Sequence, residues 1–182
     1  MVTGVGLLYR FSLKDSPRGW LGVVTPGAIV ATVGWLIVLY RKRHPLFHRY
    51  RRAALAGVLG AQPLFLFFPV SPPRKLDHLV DTMAEVSNVD LDSGLIEKLY
   101  HPLAAMPSIH VTIAEVTASG IRETARSPVL RALAPMYPPL VAAVVLLTAN
   151  HYVVDVLVGR TLGRAALRAA RLLERPRSTL LR

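Results

Sequence analysis

Four ionisable side chains lie within otherwise apolar stretches of the sequence: His110, Glu115, His151 and Asp155. Burying such groups is costly, so each is a candidate for function or for internal pairing. Asp155 follows His151 by four residues, which would place both on one face of a helix. An imidazole can act as nucleophile, general acid or general base, and a carboxylate can orient it. His110, His151 and Asp155 are therefore the candidate catalytic residues.

Each of these residues also has a structural interpretation. Alone, His110 would suit a hydrogen-bonded histidine at a membrane interface, and the His151–Asp155 pair a contact between helical neighbours. The similar expected depth of all three favours function. Glu115 lies on a different helical face from His110, so pairing within the bundle is favoured and a functional role stays open. The other histidines are interpreted as surface residues: His44, His48, His78 and His101.

The composition favours a membrane protein over a soluble domain. Apolar residues make up 52% of the 182 residues, and the mean hydropathy is +0.40. The sequence contains no cysteine, which excludes disulfides, thiolate metal sites and cysteine nucleophiles. We therefore predict an all-α, integral membrane helical bundle formed as a single domain over residues 1–182.

Apolar runs predict about five transmembrane helices. A hydrocarbon core of ~30 Å needs about 20 apolar residues in a helix. Pro107 suits the first position of the third predicted helix. Pro63 interrupts the second run without necessarily breaking it, because neighbouring helices can cover the freed backbone. The predicted spans are residues 20–40, 53–70, 107–124, 130–147 and a fifth from about residue 150 to residue 159.

The distribution of charge predicts the topology of these spans. Segment 41–52 has six Lys/Arg and no acid, segment 122–131 three and one, and the tail 159–182 seven and one. Segment 71–102 instead has three Lys/Arg and six Asp/Glu. Since cytoplasmic loops are rich in Lys/Arg, the three basic segments, including a basic C-terminal helix, are expected in the cytoplasm. The candidate catalytic residues would then face the extracytoplasmic side of a multi-pass protein of the plasma membrane.

Three short runs resemble the signatures of the type 2 phosphatidic acid phosphatase superfamily. YHPLAAMPSIHV (100–111) is similar to the second signature, Pro-Ser-x-His, and TANHYVVDVLVG (148–159) to the third, His-x-x-x-Asp followed by Gly. FFPVSPPRKL (67–76) resembles the divergent first signature of the branch that includes inositol phosphorylceramide synthases. The resemblance covers roughly residues 53–160.

Two features depart from the wider superfamily. Its members carry Ser-Arg seven and six residues before the histidine of the third signature, where this sequence has Val144 and Val145. This loss of an arginine favours the synthase-like branch. The family core also has six spans against the five predicted, so the first family span would be missing or reduced to residues 1–18.

The resemblance implies a role for each candidate residue. His151 would attack phosphorus and form a phospho-enzyme, with Asp155 holding the other ring N–H. His110 would protonate the leaving alkoxide and then activate the acceptor. Arg74, assisted by Lys75, would bind the phosphate oxygens, and Ser108 would add a donor at the start of the third helix. No metal or other cofactor is required. Water as acceptor gives a lipid phosphatase, and an alcohol gives a phosphotransferase.

Two other functions stay open. Two histidines and a carboxylate could hold a divalent metal ion. A non-catalytic membrane subunit or lipid-phosphate carrier could also retain the fold. The expected partners are membrane lipids, as phosphorylated substrates and as anionic head groups at the basic loops. Nucleic acid is not expected, since no aromatic residues interleave the basic tail. Homo-oligomerisation is left open.

Overall fold

The computed structural model describes residues 19–76 and 105–174, and this part of the chain is all-helical. Residues 1–18, most of the acidic segment 71–102 and the end of the tail lie outside the described residues, as do His78 and His101. The expectations for those segments are therefore not addressed by the structure. The helices are α1 (Gly19–Arg41), α2 (Phe47–Phe67), α3 (Ile109–Thr124), α4 (Pro128–Leu133), α5 (Tyr137–Leu147) and α6 (Val153–Leu172).

The first two predicted spans are helical, and the second begins earlier than predicted. Helix α1 covers the predicted run 20–40 and ends at Arg41. Helix α2 begins at Phe47 rather than at residue 53, because the basic stretch before the apolar run continues the helix and buries Tyr50 completely. Pro63 lies within α2 without ending it, as predicted.

The start of the third helix differs from the prediction. Pro107 does not occupy the first helical position, since α3 begins two residues later at Ile109. Ser108 is the N-cap, and its hydroxyl oxygen accepts a hydrogen bond from the Val111 N–H at 3.4 Å. Serine is a preferred N-cap because it satisfies one of the free amides at the helix start.

The fourth predicted span forms one helical stretch with a tighter turn in its middle. Helix α4 passes through the 3₁₀ turn Ala134–Met136 into α5, where Pro135, Pro138 and Pro139 remove backbone donors. Among the described residues, the continuous stretch Pro128–Leu147 is the single helix whose length and hydropathy suffice to cross a membrane.

The fifth predicted helix starts later and runs much further than residue 159. Helix α6 begins at Val153, so Asn150 and His151 lie in the connection from α5. The helix continues to Leu172, so the arginine-rich segment extends α6 directly. Its arginines recur at Arg160, Arg164, Arg168 and Arg171, which places them along one side of the helix.

Helix α3 lies at the centre of the bundle and packs against α1, α2, α5 and α6. Small residues bring α6 unusually close to it. A Cβ atom at Gly159 would lie 2.4 Å from the Ser108 carbonyl oxygen, and one at Gly163 would lie 2.7 Å from the Thr112 carbonyl oxygen. These two contacts advance together along both helices, so α3 and α6 run parallel, and their N-terminal ends meet.

Two buried apolar clusters complete the packing around α3. One joins α3, α5 and α6, and the other joins α1, α2, α3 and α6. Between α1 and α3, the hydroxyl oxygens of Thr32 and Thr117 lie 2.7 Å apart in a buried hydrogen bond. The first cluster contains Val111, Ala114, Val141, Val145 and Val156, and the second contains Leu39, Tyr50, Ala53, Val116, Leu167 and Ala170.

Candidate active site

His151 lies in the connection between α5 and α6 and is buried. The prediction that it shares a helical face with Asp155 is therefore wrong in detail, since His151 precedes the first residue of α6. Its Nδ1 atom lies 2.7 Å from the Ala105 carbonyl oxygen. A carbonyl can only accept, so this contact favours the neutral tautomer with hydrogen on Nδ1. The lone pair is then on Nε2, the atom that a nucleophilic role requires.

Asp155 lies beside His151 and is completely buried. Its Oδ2 atom accepts a hydrogen bond from the Tyr152 N–H at 2.7 Å and lies 3.5 Å from His151 Nδ1. Its Oδ1 atom is buried without a hydrogen-bond partner among the described residues. A buried carboxylate with so few donors favours positive charge nearby. The helix dipole at the start of α6 and a positively charged imidazole both meet that need.

His110 is in the first turn of α3, close to His151. The centroids of the two rings are 5.8 Å apart, and the ring planes meet at 63°. His110 Nδ1 is buried and has no hydrogen-bond partner in the described part of the chain. The Ser108 N–H donates to the Asp155 carbonyl oxygen at 3.0 Å, which joins the starts of α3 and α6. Tertiary structure thus brings the three predicted catalytic residues together.

Arg74 reaches the same end of the bundle from the 3₁₀ turn Pro73–Lys75. It is buried, and its Nη1 atom donates to Asn150 Oδ1 at 2.6 Å. Its backbone N–H donates to the Ala149 carbonyl oxygen at 2.8 Å. Ala149 has a φ of 52°, a left-handed conformation that turns the chain sharply after α5. This turn places the anchor of Arg74 directly before His151.

Asn150 is a residue of this site that the sequence analysis did not identify. Its amide oxygen accepts from Arg74, and its amide nitrogen donates to Thr148 Oγ1 at 2.7 Å. The available signal was its position as a polar residue between an apolar helix and His151. The Ala105 carbonyl was also missed, because a backbone acceptor has no signature in side-chain identity.

The side chains of Ser108 and Thr112 bind backbone groups where α3 and α6 pack together. Ser108 is fully buried, and its hydroxyl caps α3, while Thr112 Oγ1 lies 2.9 Å from both the Ser108 and the Gly159 carbonyl oxygens. Ser108 is thus at the start of α3 as the sequence indicated, with its side chain engaged in capping. Lys75 is near Arg74 in sequence, but its side chain is outside the described set.

Glu115 belongs to a different part of the bundle from His110. Its carboxylate oxygens lie 2.8 Å from Arg160 Nε and 3.6 Å from Arg164 Nε. Pairing within the bundle, the favoured interpretation of this residue, therefore agrees with the structure. Within residues 19–76 and 105–174, no three His, Cys, Asp or Glu side chains form a group that could hold a metal ion.

The positions of the missing Ser-Arg pair are apolar and buried. Val144 and Val145 are 4% and 0% exposed. Val145 packs in the cluster with Val111 and Val156, and its carbonyl oxygen accepts from the Asn150 and His151 N–H groups. The valines therefore support the His151 connection through packing and backbone contacts.

Comparison with known proteins identifies the family of this chain. The family model of the PAP2 superfamily matches residues 25–169, about four fifths of the chain. No curated protein and no solved structure matches the chain. The match includes His110, His151, Asp155 and Arg74, and membership in this superfamily indicates phosphatase-type phosphoesterase activity. The chain belongs to the PAP2 superfamily.

Proposed function

We propose that this chain is a multi-span membrane enzyme that cleaves a lipid phosphate ester through a phosphohistidine on His151. The observation that best supports this proposal is the orientation of the His151 ring, whose Nδ1 atom faces the Ala105 carbonyl and Asp155. This orientation leaves Nε2 as the basic ring nitrogen. The centroids of the His151 and His110 rings are 5.8 Å apart. The Arg74–Asn150 pair adds a fixed positive charge beside the same connection.

The outer surface of the described helices supports a membrane location. Large apolar side chains are well exposed on α1, α2, α5 and α6, including Val30 (69%), Leu59 (65%) and Leu66 (76%). Such surfaces are unfavourable in water and are ordinary against acyl chains. This location and the charge distribution of the sequence support the proposal of a lipid substrate and of an extracytoplasmic position for His151 in the plasma membrane.

The charged ends of the helices support the same orientation. Arg49, at the start of α2, pairs with Glu123 at the end of α3 and with Glu174 after α6. Arg171 also pairs with Glu123. The basic segments therefore meet at the end of the bundle opposite His151, which we propose is the cytoplasmic end.

The proposed reaction has two steps at the histidine pair. In the first, His151 Nε2 forms a bond to phosphorus, the bond from phosphorus to the lipid oxygen breaks, and His110 as imidazolium gives its proton to that oxygen. Positive charge on the His151 ring is favoured by buried Asp155. In the second, neutral His110 takes a proton from the acceptor, whose oxygen displaces His151 from phosphorus.

Arg74 has a separate role in this scheme. Its planar guanidinium can donate two parallel hydrogen bonds to phosphate oxygens and stabilise the charge that builds up on them. The Asn150 contact orients that guanidinium before substrate binds. We also propose that the chain belongs to the branch of the superfamily that resembles inositol phosphorylceramide synthases. The run at 67–76 and the residues Val144 and Val145 support this assignment. The assignment predicts an alcohol as the acceptor of the phosphoryl group, which can be tested.

The test is phosphate release from a panel of lipid phosphates and diphosphates by protein purified in detergent, with EDTA present. We expect turnover that His151→Ala lowers by at least about 1,000-fold. His48→Ala is the matched control, because His48 is an exposed histidine near the start of α2. Added inositol or diacylglycerol then distinguishes transfer from hydrolysis.

Other outcomes would select the alternative functions. Turnover that EDTA abolishes would refute the phosphohistidine scheme and favour a metal-dependent reaction. Lipid-phosphate binding by folded protein, with no turnover in the presence of any acceptor, would favour a carrier or a non-catalytic subunit. The replacement of Ser-Arg by the buried Val144 and Val145 is the observation that supports this second function.

A further inference from the structure

A polar cavity lies away from His151, between α3, α6 and the 3₁₀ turn that links α4 to α5. Its volume is about 620 Å³, within the range of ligand pockets in proteins. It follows α3 from Glu115 to Glu123 and α6 from Arg160 to Arg171. Because α3 and α6 are parallel and start at the catalytic residues, this cavity lies toward the opposite end of the bundle.

The lining of the cavity is strongly basic. Four of its five arginines come from the regular spacing on α6, and the fifth comes from the last turn of α3. Against them stand two carboxylates, Glu115 and Glu123, which leaves an excess of three positive charges. The arginines are Arg122, Arg160, Arg164, Arg168 and Arg171.

The arginines are divided between paired and available groups. Glu115 pairs with Arg160 and Arg164, and Glu123 pairs with Arg171. Within the described part of the chain, Arg122 and Arg168 form no ion pair with a carboxylate, and both are exposed. Like charges that line one cavity repel, so a bound anion would stabilise the arrangement.

The remaining wall of the cavity is apolar. Pro135 lines it from the 3₁₀ turn between α4 and α5, and Pro138 lines it from the first turn of α5. The same helical stretch exposes Leu133, Met136 and Leu140, each more than half accessible. A ligand with a phosphate group and hydrocarbon chains matches this combination, since arginine forks bind phosphate oxygens and acyl chains cover exposed apolar side chains.

We propose that this basic cavity binds the phosphate of an anionic phospholipid in the leaflet opposite the active site. The choice of leaflet rests on the membrane orientation given under the proposed function. The site itself rests on the described arginines alone. Its occupant would offset part of the excess charge between α3 and α6, the two helices that carry His110 and Asp155.

The experiment measures binding and thermal unfolding rather than turnover. Purified protein is titrated with dioctanoyl phosphatidylglycerol, dioctanoyl phosphatidylcholine or inorganic phosphate. Wild type should bind the phosphatidylglycerol and unfold at a higher temperature, with little response to the other two. In Arg122→Gln/Arg168→Gln the phosphatidylglycerol Kd should rise by at least about tenfold, because two charge-assisted contacts are lost.

A matched double variant controls for net charge. Arg41 and Arg52 are exposed, lie outside the cavity and belong to the same basic end of the bundle. Arg41→Gln/Arg52→Gln should bind phosphatidylglycerol like wild type. Equal weakening in both double variants would overturn the cavity site in favour of general surface attraction, and no binding by wild type would overturn it outright.

Two further measurements are needed. One distinguishes lipid phosphate from soluble phosphate as the ligand, and the other distinguishes failure of the cavity proposal from failure of the catalytic proposal. Equal binding of inorganic phosphate would overturn the lipid assignment and identify a site for soluble phosphate. The titration is repeated with His151→Ala, which should bind phosphatidylglycerol as wild type does. Loss of turnover without loss of this binding therefore bears on the catalytic proposal alone, and the converse result bears on the cavity alone.

Discussion

Gly159 sets the distance between the two helices that carry the catalytic residues, so Gly159→Ala should damage both stability and activity. The added Cβ would lie 2.4 Å from the Ser108 carbonyl oxygen, whereas ordinary contacts begin at 3.4 Å. Helix α6 must therefore withdraw by about 1 Å. The Ser108–Asp155 backbone bond, now 3.0 Å, would lengthen beyond hydrogen-bonding distance. His110 and Asp155 would then separate.

The expected magnitudes follow from this displacement. Overpacking costs about 1–3 kcal/mol and the lost backbone bond about 1 kcal/mol, partly offset by the higher helix propensity of alanine. A net loss of about 1–3 kcal/mol should appear as a lower unfolding temperature in detergent. A misplacement of about 1 Å at a catalytic centre can cost about 100-fold in rate. Phosphate release at saturating substrate measures that loss.

Two companion variants give the controls for Gly159→Ala. Gly34→Ala lies in α1 with no atom within 4 Å of the new Cβ, so stability should rise by up to about 1 kcal/mol and turnover should stay unchanged. Gly163→Ala meets the Thr112 carbonyl oxygen at 2.7 Å, one turn further from the catalytic residues. It should lose stability similarly and lose less activity. Wild-type stability and turnover in Gly159→Ala would refute the reasoning.

Three other substitutions test separate contacts. Asp155→Asn removes the charge that supports a cationic His151 and should lower kcat by about 100- to 10,000-fold, measured as phosphate release. Asn150→Ala removes the anchor of Arg74 and should raise KM for the lipid phosphate by about tenfold, since a lost charged hydrogen bond is worth about 1.5–3 kcal/mol. Thr32→Val removes the hydroxyl contact between α1 and α3 and should cost about 1 kcal/mol in thermal unfolding without changing turnover.

Each of these substitutions has an outcome that would contradict its reasoning. Full kcat in Asp155→Asn would mean that the carboxylate charge does not support catalysis. An unchanged KM in Asn150→Ala would mean that Arg74 does not bind substrate phosphate or needs no anchor. A large loss of turnover in Thr32→Val would mean that the α1–α3 contact is coupled to the catalytic residues, although Thr117 lies about two turns along α3 from His110.

The sequence predicted the helices well because apolar runs of sufficient length leave few alternatives. It was less reliable at helix ends. Pro107 suited a first helical position, yet Ser108 competes better for the role of N-cap and moves the start to Ile109. His151 and Asp155 had the spacing of helical neighbours, yet the turn at Ala149 keeps His151 outside α6. Local rules of this kind cannot include a backbone bend that distant contacts stabilise.

By itself, the sequence determined the residue types of the candidate site, their order and the all-helical architecture, because these depend on composition and spacing along one chain. Tertiary structure alone decided which partner each side chain meets. The Ala105 carbonyl reaches His151 from 46 residues away, and Arg74 reaches Asn150 from 76 residues away. The arginines of α6 also line a cavity only because α3 and the α4–α5 turn pack beside them. Such contacts depend on how helices pack, and packing is a property of the whole chain rather than of any local pattern.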